Sequence, residues 1–219
     1  MLVMHALVVA AALLVFPCGQ AAGDDKNPVV PSKPPEAEAG AVEGRVSTEG
    51  GGRLPTVVAY LESTEPGRRY AVPSERPVIR QKGAKFTPSL LVICVGQTVE
   101  FPNDEERPIQ HNVFSKSVAE SFDLGLYRPG KSKSVTFDEP GVVRLHCSIH
   151  KNMDGVIFVC PTPYFARVSA DGGFRIENVP PGEYELKTWQ VKRRYLDRSQ
   201  TISVARGQVV KVQVKLLRK

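Results

Sequence analysis

Residues 145–153 read Leu-His-Cys-Ser-Ile-His-Lys-Asn-Met, and this stretch predicts both a metal site and the fold that holds it. It places a thiol (Cys147), an imidazole (His150) and a thioether (Met153) at three-residue steps. Two imidazoles, one thiolate and a weak axial thioether form the ligand set of a blue-copper electron-transfer centre. The stretch therefore predicts a copper site that needs one further histidine.

The missing imidazole must come from elsewhere in a chain that has only four histidines. His5 lies in the apolar N-terminus. His146 precedes Cys147 directly, and because side chains alternate between the faces of a strand we expect it to point away from the site; its role as an extra ligand stays open. His111, in Gln110-His111-Asn112-Val113, is then the remaining candidate.

The predicted site is one type 1 copper ion. Its metal ligands are His111, Cys147, His150 and Met153. Zinc is the alternative metal, and it is disfavoured because a thioether is not among the usual zinc ligands.

The composition predicts an all-β fold. Of 219 residues 42% are hydrophobic, Gly and Pro number 18 each, and the apolar residues fall in short alternating runs rather than helical stripes. The region from residue 78 to 160 contains about seven short predicted strands, a number typical of a β-sandwich. Examples are Ser134–Phe137, Val142–Cys147 and Gly155–Cys160.

The N-terminus predicts export. Residues 1–21 are apolar and end in small residues, as in a secretory signal peptide, although no Lys or Arg precedes the apolar run. An uncleaved anchor is the alternative; lipidation of Cys18 is disfavoured because Phe16-Pro17 precede it. Residues 22–40 form a Pro-rich linker. We expect a periplasmic or secreted protein with no membrane span in the mature chain.

Three cysteines remain after the signal peptide, and an odd count in an exported protein leaves one thiol free or bound to metal. If Cys147 binds metal, Cys94 and Cys160 either form a disulfide or remain separate thiols.

The formal net charge of +6 comes from scattered basic residues. The sequence has no Arg-rich stripe with interleaved aromatic residues, so we expect no nucleic-acid partner. The charge is compatible with steering toward an acidic redox partner protein, whose identity the sequence does not give.

The region from residue 78 to 160 resembles the cupredoxin family, of the plastocyanin and amicyanin kind. Four segments carry the resemblance: Phe101-Pro102-Asn103, His111-Asn112-Val113, Pro140-Gly141 and 147–153. The resemblance implies a Greek-key β-sandwich, the same four copper ligands, and a hydrogen bond from Asn112 near the thiolate. Two residues depart from the family pattern: Ile149 stands where Pro is common, and His146 where a large apolar residue is usual.

Residues 41–63 and 161–219 together resemble a second family, the carboxypeptidase regulatory-like, transthyretin-like β-sandwich. Val57–Leu61, Asp171–Ile176 and Val179–Leu186 carry this resemblance. Our hypothesis is that the cupredoxin domain is inserted into this sandwich between roughly residues 64 and 161. Two consecutive domains with an added N-terminal hairpin are the alternative. We expect Trp189 to serve the core or an interface rather than to stack on a sugar.

The function expected from these features is one-electron transfer by an exported copper protein that is not an enzyme. Copper carriage without a redox role and a surface-binding sandwich with an incidental metal are the alternatives. Too few histidines are available for a Ser/His/Asp triad, and a lone type 1 centre has no second copper at which a substrate could react.

Overall fold

A computed structural model describes residues 29–30 and 39–219. The predicted signal peptide, and the predicted linker apart from residues 29–30 and 39–40, lie outside the described residues. The all-β prediction is confirmed, because the helical structure in the described part is a single 3₁₀ turn, Glu49–Gly51. Within that part, no helix is long and apolar enough to cross a bilayer.

The strands are short and follow one another at turn spacing. In chain order they are β1 (Val29–Val30), β2 (Gly40–Thr48), β3 (Val57–Ser63), β4 (Arg69–Tyr70), β5 (Arg80–Gln81), β6 (Phe86–Thr87), β7 (Leu90–Cys94), β8 (Thr98–Pro102), β9 (Phe114–Lys116), β10 (Ser121–Asp123), β11 (Ser132–Thr136), β12 (Gly141–His146), β13 (Asp154–Cys160), β14 (Phe165–Arg167), β15 (Gly173–Val179), β16 (Gly182–Gln190), β17 (Ser199–Val204) and β18 (Val209–Leu216). The short pair β1 and β4 is parallel and joins residues of the predicted linker to the segment that follows β3.

A first β-sandwich holds the predicted site. Its larger sheet has the order β10-β9-β12-β13-β7, and the pairs β11-β8 and β5-β6 complete it. Period-2 alternation builds its core: Val143 and Leu145 of β12 are fully buried while Arg144 between them is exposed. Cys147 and Met153 belong to this core cluster, so two of the four predicted ligands lie in a rigid, water-poor environment.

A second β-sandwich is made from segments on both sides of the first. β2 pairs antiparallel with β15 and parallel with β18, and β3 pairs with β14 and β16. Its two sheets have the orders β14-β3-β16-β17 and β15-β2-β18. The first sandwich therefore lies between β3 and β14 along the chain. The individual domain boundaries stay predictions.

An apolar cluster joins the two sandwiches. Phe158, on the outer face of β13, stacks on Trp189 with ring centroids 4.4 Å apart and an interplanar angle of 2°. Tyr60 meets the same phenyl ring edge-on at 5.6 Å. Trp189 therefore lies at an interface, and burial of this cluster stabilises one arrangement of the sandwiches relative to each other.

The structure shows Cys94 and Cys160 as free thiols, not as a disulfide. They are register partners on the parallel strands β7 and β13, and both are buried. Burial raises the pKa of Cys94 to about 11 and that of Cys160 to about 12. Both thiols are therefore protonated at neutral pH and are weak nucleophiles.

Candidate metal centre

The first sandwich holds the predicted ligands from two separate places. His111 lies just before β9, where its backbone N–H donates to Tyr127 O (3.2 Å) and its carbonyl accepts from the Tyr127 N–H (2.9 Å). Cys147 directly follows β12, and His150 and Met153 lie on the turn that leads into β13. The Met153 N–H donates to the His150 carbonyl at 3.0 Å, which tightens this turn.

Three of the four predicted ligands converge. One ligand atom each from His111, Cys147 and His150 lies within 4.8 Å of the others. The two Nδ1 atoms are 3.1 Å apart, and Cys147 Sγ lies 3.6 Å from His150 Nδ1. His111 and Cys147 are buried, whereas His150 is half-buried at the surface. The protein therefore shields His111 and Cys147 from solvent, and the group contacts solvent through the His150 imidazole.

Met153 is buried in the same core cluster as Cys147, with 1% of its surface exposed. Its backbone N–H donates to the His150 carbonyl, so Met153 and His150 belong to the same turn. Its role as the axial ligand stays a prediction.

Glu105 is a residue of this site that sequence reasoning missed. Its Oε1 lies 2.9 Å from His111 Nε2, and the carboxylate also accepts the backbone N–H of Ala84 at 3.1 Å. The hydrogen bond from His111 is the main cause that lowers the pKa of Glu105, so the group is a carboxylate at neutral pH. A carboxylate only accepts hydrogen bonds; His111 Nε2 must therefore carry the proton, and Nδ1 of a neutral His111 presents its lone pair to the site.

Glu105 is difficult to recognise as a site residue in the sequence because acidic residues flank it on both sides. Asp104 and Glu106 form surface ion pairs with Arg80 and Lys82, and such acidic runs are usually solvated. The available signal was period-2 alternation, which puts Glu105 on the same face as the buried Phe101 and Asn103.

Asn112 links the two parts of the site. Its Oδ1 accepts the backbone N–H of Ser148 at 2.7 Å, and its Nδ2 donates to Asp123 Oδ1 at 2.9 Å. Because Ser148 follows Cys147 directly, this buried amide ties the ligand loop to the segment that carries His111. The structure thus places Asn112 where the resemblance implied a hydrogen bond near the thiolate.

His146 lies outside the converging group. Its Nδ1 is 2.8 Å from Asp154 Oδ1, across the antiparallel pair of β12 and β13, and its ring contacts Phe114 with centroids 5.6 Å apart. The alternation of side chains along β12 accounts for this position on the outer face.

The separations from His150 Nδ1 to the other two ligand atoms fit a single metal ion. Imidazole nitrogens bound at about 2.0–2.1 Å with tetrahedral angles lie about 3.3 Å apart, and a thiolate bound at about 2.3 Å lies about 3.6 Å from each of them. The observed separations of 3.1 Å and 3.6 Å are close to these values. The two imidazole Nδ1 atoms face each other at 3.1 Å, so a cation between them could accept a lone pair from each.

Solved cupredoxins are similar to this chain. A purple cupredoxin from Nitrosopumilus maritimus is 27% identical, with a TM-score of 0.34 over 38% of this chain and 98% of that protein. Amicyanin from Paracoccus versutus is 24% identical, with a TM-score of 0.35 over 40% of this chain and 84% of amicyanin. A Cu-containing nitrite reductase from Thermus scotoductus is 29% identical, with a TM-score of 0.38 over 45% of this chain and 25% of the reductase.

The second sandwich is similar to a different family. Residues 162–212 match the family model described as domain II of polysaccharide lyase family 4. The carboxypeptidase regulatory-like resemblance of this unit stays a prediction. No curated protein matches the chain.

Proposed function

We infer that this protein is an exported one-electron carrier with a type 1 copper centre formed by His111, Cys147, His150 and Met153. The observation that carries the proposal is the convergence of one ligand atom each from His111, Cys147 and His150 within 4.8 Å, with the two Nδ1 atoms 3.1 Å apart. When bound, copper would supply the one-electron couple between Cu(I) and Cu(II). A soft thiolate and thioether favour copper over harder ions, and Met153 argues against a zinc site.

The residues of the chain have separate parts in this function. Glu105 holds His111 in the tautomer that leaves Nδ1 free, and Asn112 holds the backbone beside the thiolate. The rigid sandwich restricts movement of the ligand atoms, which keeps the rearrangement between oxidation states small. His150, half-buried beside the exposed Ile149, gives electrons the shortest route to the surface. A carrier of this kind needs no second centre and transforms no substrate itself.

The visible spectrum tests the proposal. The full chain loaded with Cu(II) should be intensely coloured and should be reduced and reoxidised reversibly. Cys147→Ser should abolish the colour, because the absorption of such centres depends on the thiolate bond to copper. Cys94→Ser is the matched control, since it removes another buried thiol far along the chain from the ligand loop, and it should keep the colour.

Two outcomes would contradict the proposal. Colour that survives Cys147→Ser would overturn the ligand assignment. A colourless protein that binds only Cu(I) would favour copper carriage without electron transfer.

A further inference from the structure

A cleft between the two sandwiches is lined by more cationic than acidic side chains, and none of them belongs to the proposed copper site. Its volume is about 860 Å³. Lys116 of β9 and Arg144 of β12 line one wall, and Trp189 and Arg193 line the other. Of the described residues that line it, Glu139 is the one acidic residue, and three are cationic.

Among the described residues, the two cations of the first sandwich have no acidic partner. Arg193 forms an ion pair with Asp197 at 2.8 Å. In the part of the chain that the structure describes, neither Lys116 nor Arg144 has a carboxylate within ion-pair distance, although both are exposed. Two neighbouring unpaired cations favour an anionic group from outside the chain.

The apolar residues of the cleft favour a protein occupant over a simple anion. The Val118 side chain is fully exposed at the rim. Trp189 lines the cleft while its ring stacks on Phe158. Tryptophan and arginine are enriched among the residues that contribute most to protein–protein binding.

The cleft lies on the strands that lead into the proposed copper site. β12 presents Arg144 on its outer face and ends at His146, directly before Cys147. β9 starts three residues after His111 and carries Lys116, and the Phe114 ring of β9 contacts His146. A partner bound in the cleft would therefore rest on the two strands that position His111 and Cys147.

We propose that this cleft is the docking site for an acidic segment of the redox partner protein. The proposal rests on the proposed function, because it names the class of partner that would exchange electrons with the copper site. The acidic side chains of the partner would pair with Lys116 and Arg144, and its apolar side chains would cover Val118 and Trp189.

Binding can be measured with a hexaglutamate peptide and the fluorescence of Trp189, which is the only tryptophan of the chain. At low ionic strength hexaglutamate should change this fluorescence saturably, and added salt should weaken binding. The double variant Lys116→Gln/Arg144→Gln should weaken binding about tenfold, since it removes two charge pairs. Lys211→Gln/Lys215→Gln is the matched control, because it makes the same change of charge on β18, in the sheet β15-β2-β18 of the second sandwich. This control should leave the affinity within about twofold.

Three results would overturn the docking site: no saturable change, an equal loss of affinity in both double variants, or tighter binding of a hexagalacturonate of the same charge. The last result would assign the cleft to an acidic saccharide.

The titration is made on the copper-loaded full chain and repeated without copper. Absence of peptide binding in a protein that takes up copper would refute only the docking site, whereas peptide binding in a protein that takes up no copper would refute the proposed function.

Discussion

Replacing Glu105 by Gln removes one negative charge beside the proposed copper site and keeps the shape of the side chain. The Gln oxygen can still accept the proton of His111 Nε2, so the tautomer of His111 is kept. The Glu105 side chain is only 8% exposed, and solvent therefore screens its charge weakly. We expect the reduction potential of the copper centre to rise, because a nearby carboxylate stabilises Cu(II) more than Cu(I).

The magnitude follows from the distance between the two charges. Glu105 Oε1 lies 2.9 Å from His111 Nε2. The width of the imidazole ring and one metal–nitrogen bond bring the separation between carboxylate and metal to about 7 Å. At an effective dielectric constant of about 20, a change of one unit charge at that distance is worth about 2.4 kcal/mol. For a one-electron couple this corresponds to a rise of about 100 mV as an upper value.

Voltammetry of the copper-loaded protein measures this shift, and Glu106→Gln is the matched control. Glu106 is the next residue along the chain, but its side chain is 82% exposed and pairs with Lys82. Screening by solvent and salt should leave the potential of the control nearly unchanged. A potential that falls in Glu105→Gln, or that rises equally in both variants, would refute the assignment of Glu105 as the carboxylate that acts on the centre through His111.

Three further variants test other parts of the structure. Asn112→Ala leaves the amide beside Cys147 without its buried acceptor, so we expect denaturant unfolding to show a loss of about 1–3 kcal/mol, with a changed visible spectrum. Met153→Leu removes the thioether but keeps an apolar side chain of similar volume; copper and colour should remain, and voltammetry should show a higher potential because lower coordination favours Cu(I). Gly44→Ala would place a Cβ 2.6 Å from two ring carbons of Phe174, and we expect a loss of about 1–3 kcal/mol in unfolding free energy with an unchanged copper spectrum.

The sequence was sufficient to predict the elements whose signals are local. The three-residue steps in the stretch 145–153 indicated the ligand loop. The scarcity of histidines left His111 as the partner, and the structure brings His111, Cys147 and His150 together. Alternation along β12 was sufficient to predict that His146 faces away from Cys147.

Features that depend on two distant segments could not be predicted in the same way. Alternation from Phe101 and Asn103 indicates that Glu105 faces inward, but it does not indicate that the carboxylate meets His111, because that contact depends on a segment that folding brings alongside. The stacking of Phe158 on Trp189 requires the register of β13 and β16 in two different sandwiches. The state of Cys94 and Cys160 is another such feature, since adjacency on paired strands allows either a disulfide or two thiols.

The position of the second sandwich determines which surfaces of the first sandwich a partner can reach. It covers Phe158 and Cys160 on the outer face of β13, where an exposed apolar sheet face would otherwise be open to non-specific association. It leaves two regions of the described surface accessible near the proposed copper site: the edge at His150, with Ile149 51% exposed, and the cationic cleft beside Arg144. The first region exposes the aliphatic Ile149 beside a single cation, Lys151, whereas the cleft is lined by three cationic side chains against one carboxylate, so exchange through the cleft should respond more strongly to salt. Electron exchange through the His150 edge should depend weakly on ionic strength, whereas exchange with a partner held in the cleft should slow as salt rises, because ionic screening weakens the charge pairs that hold it.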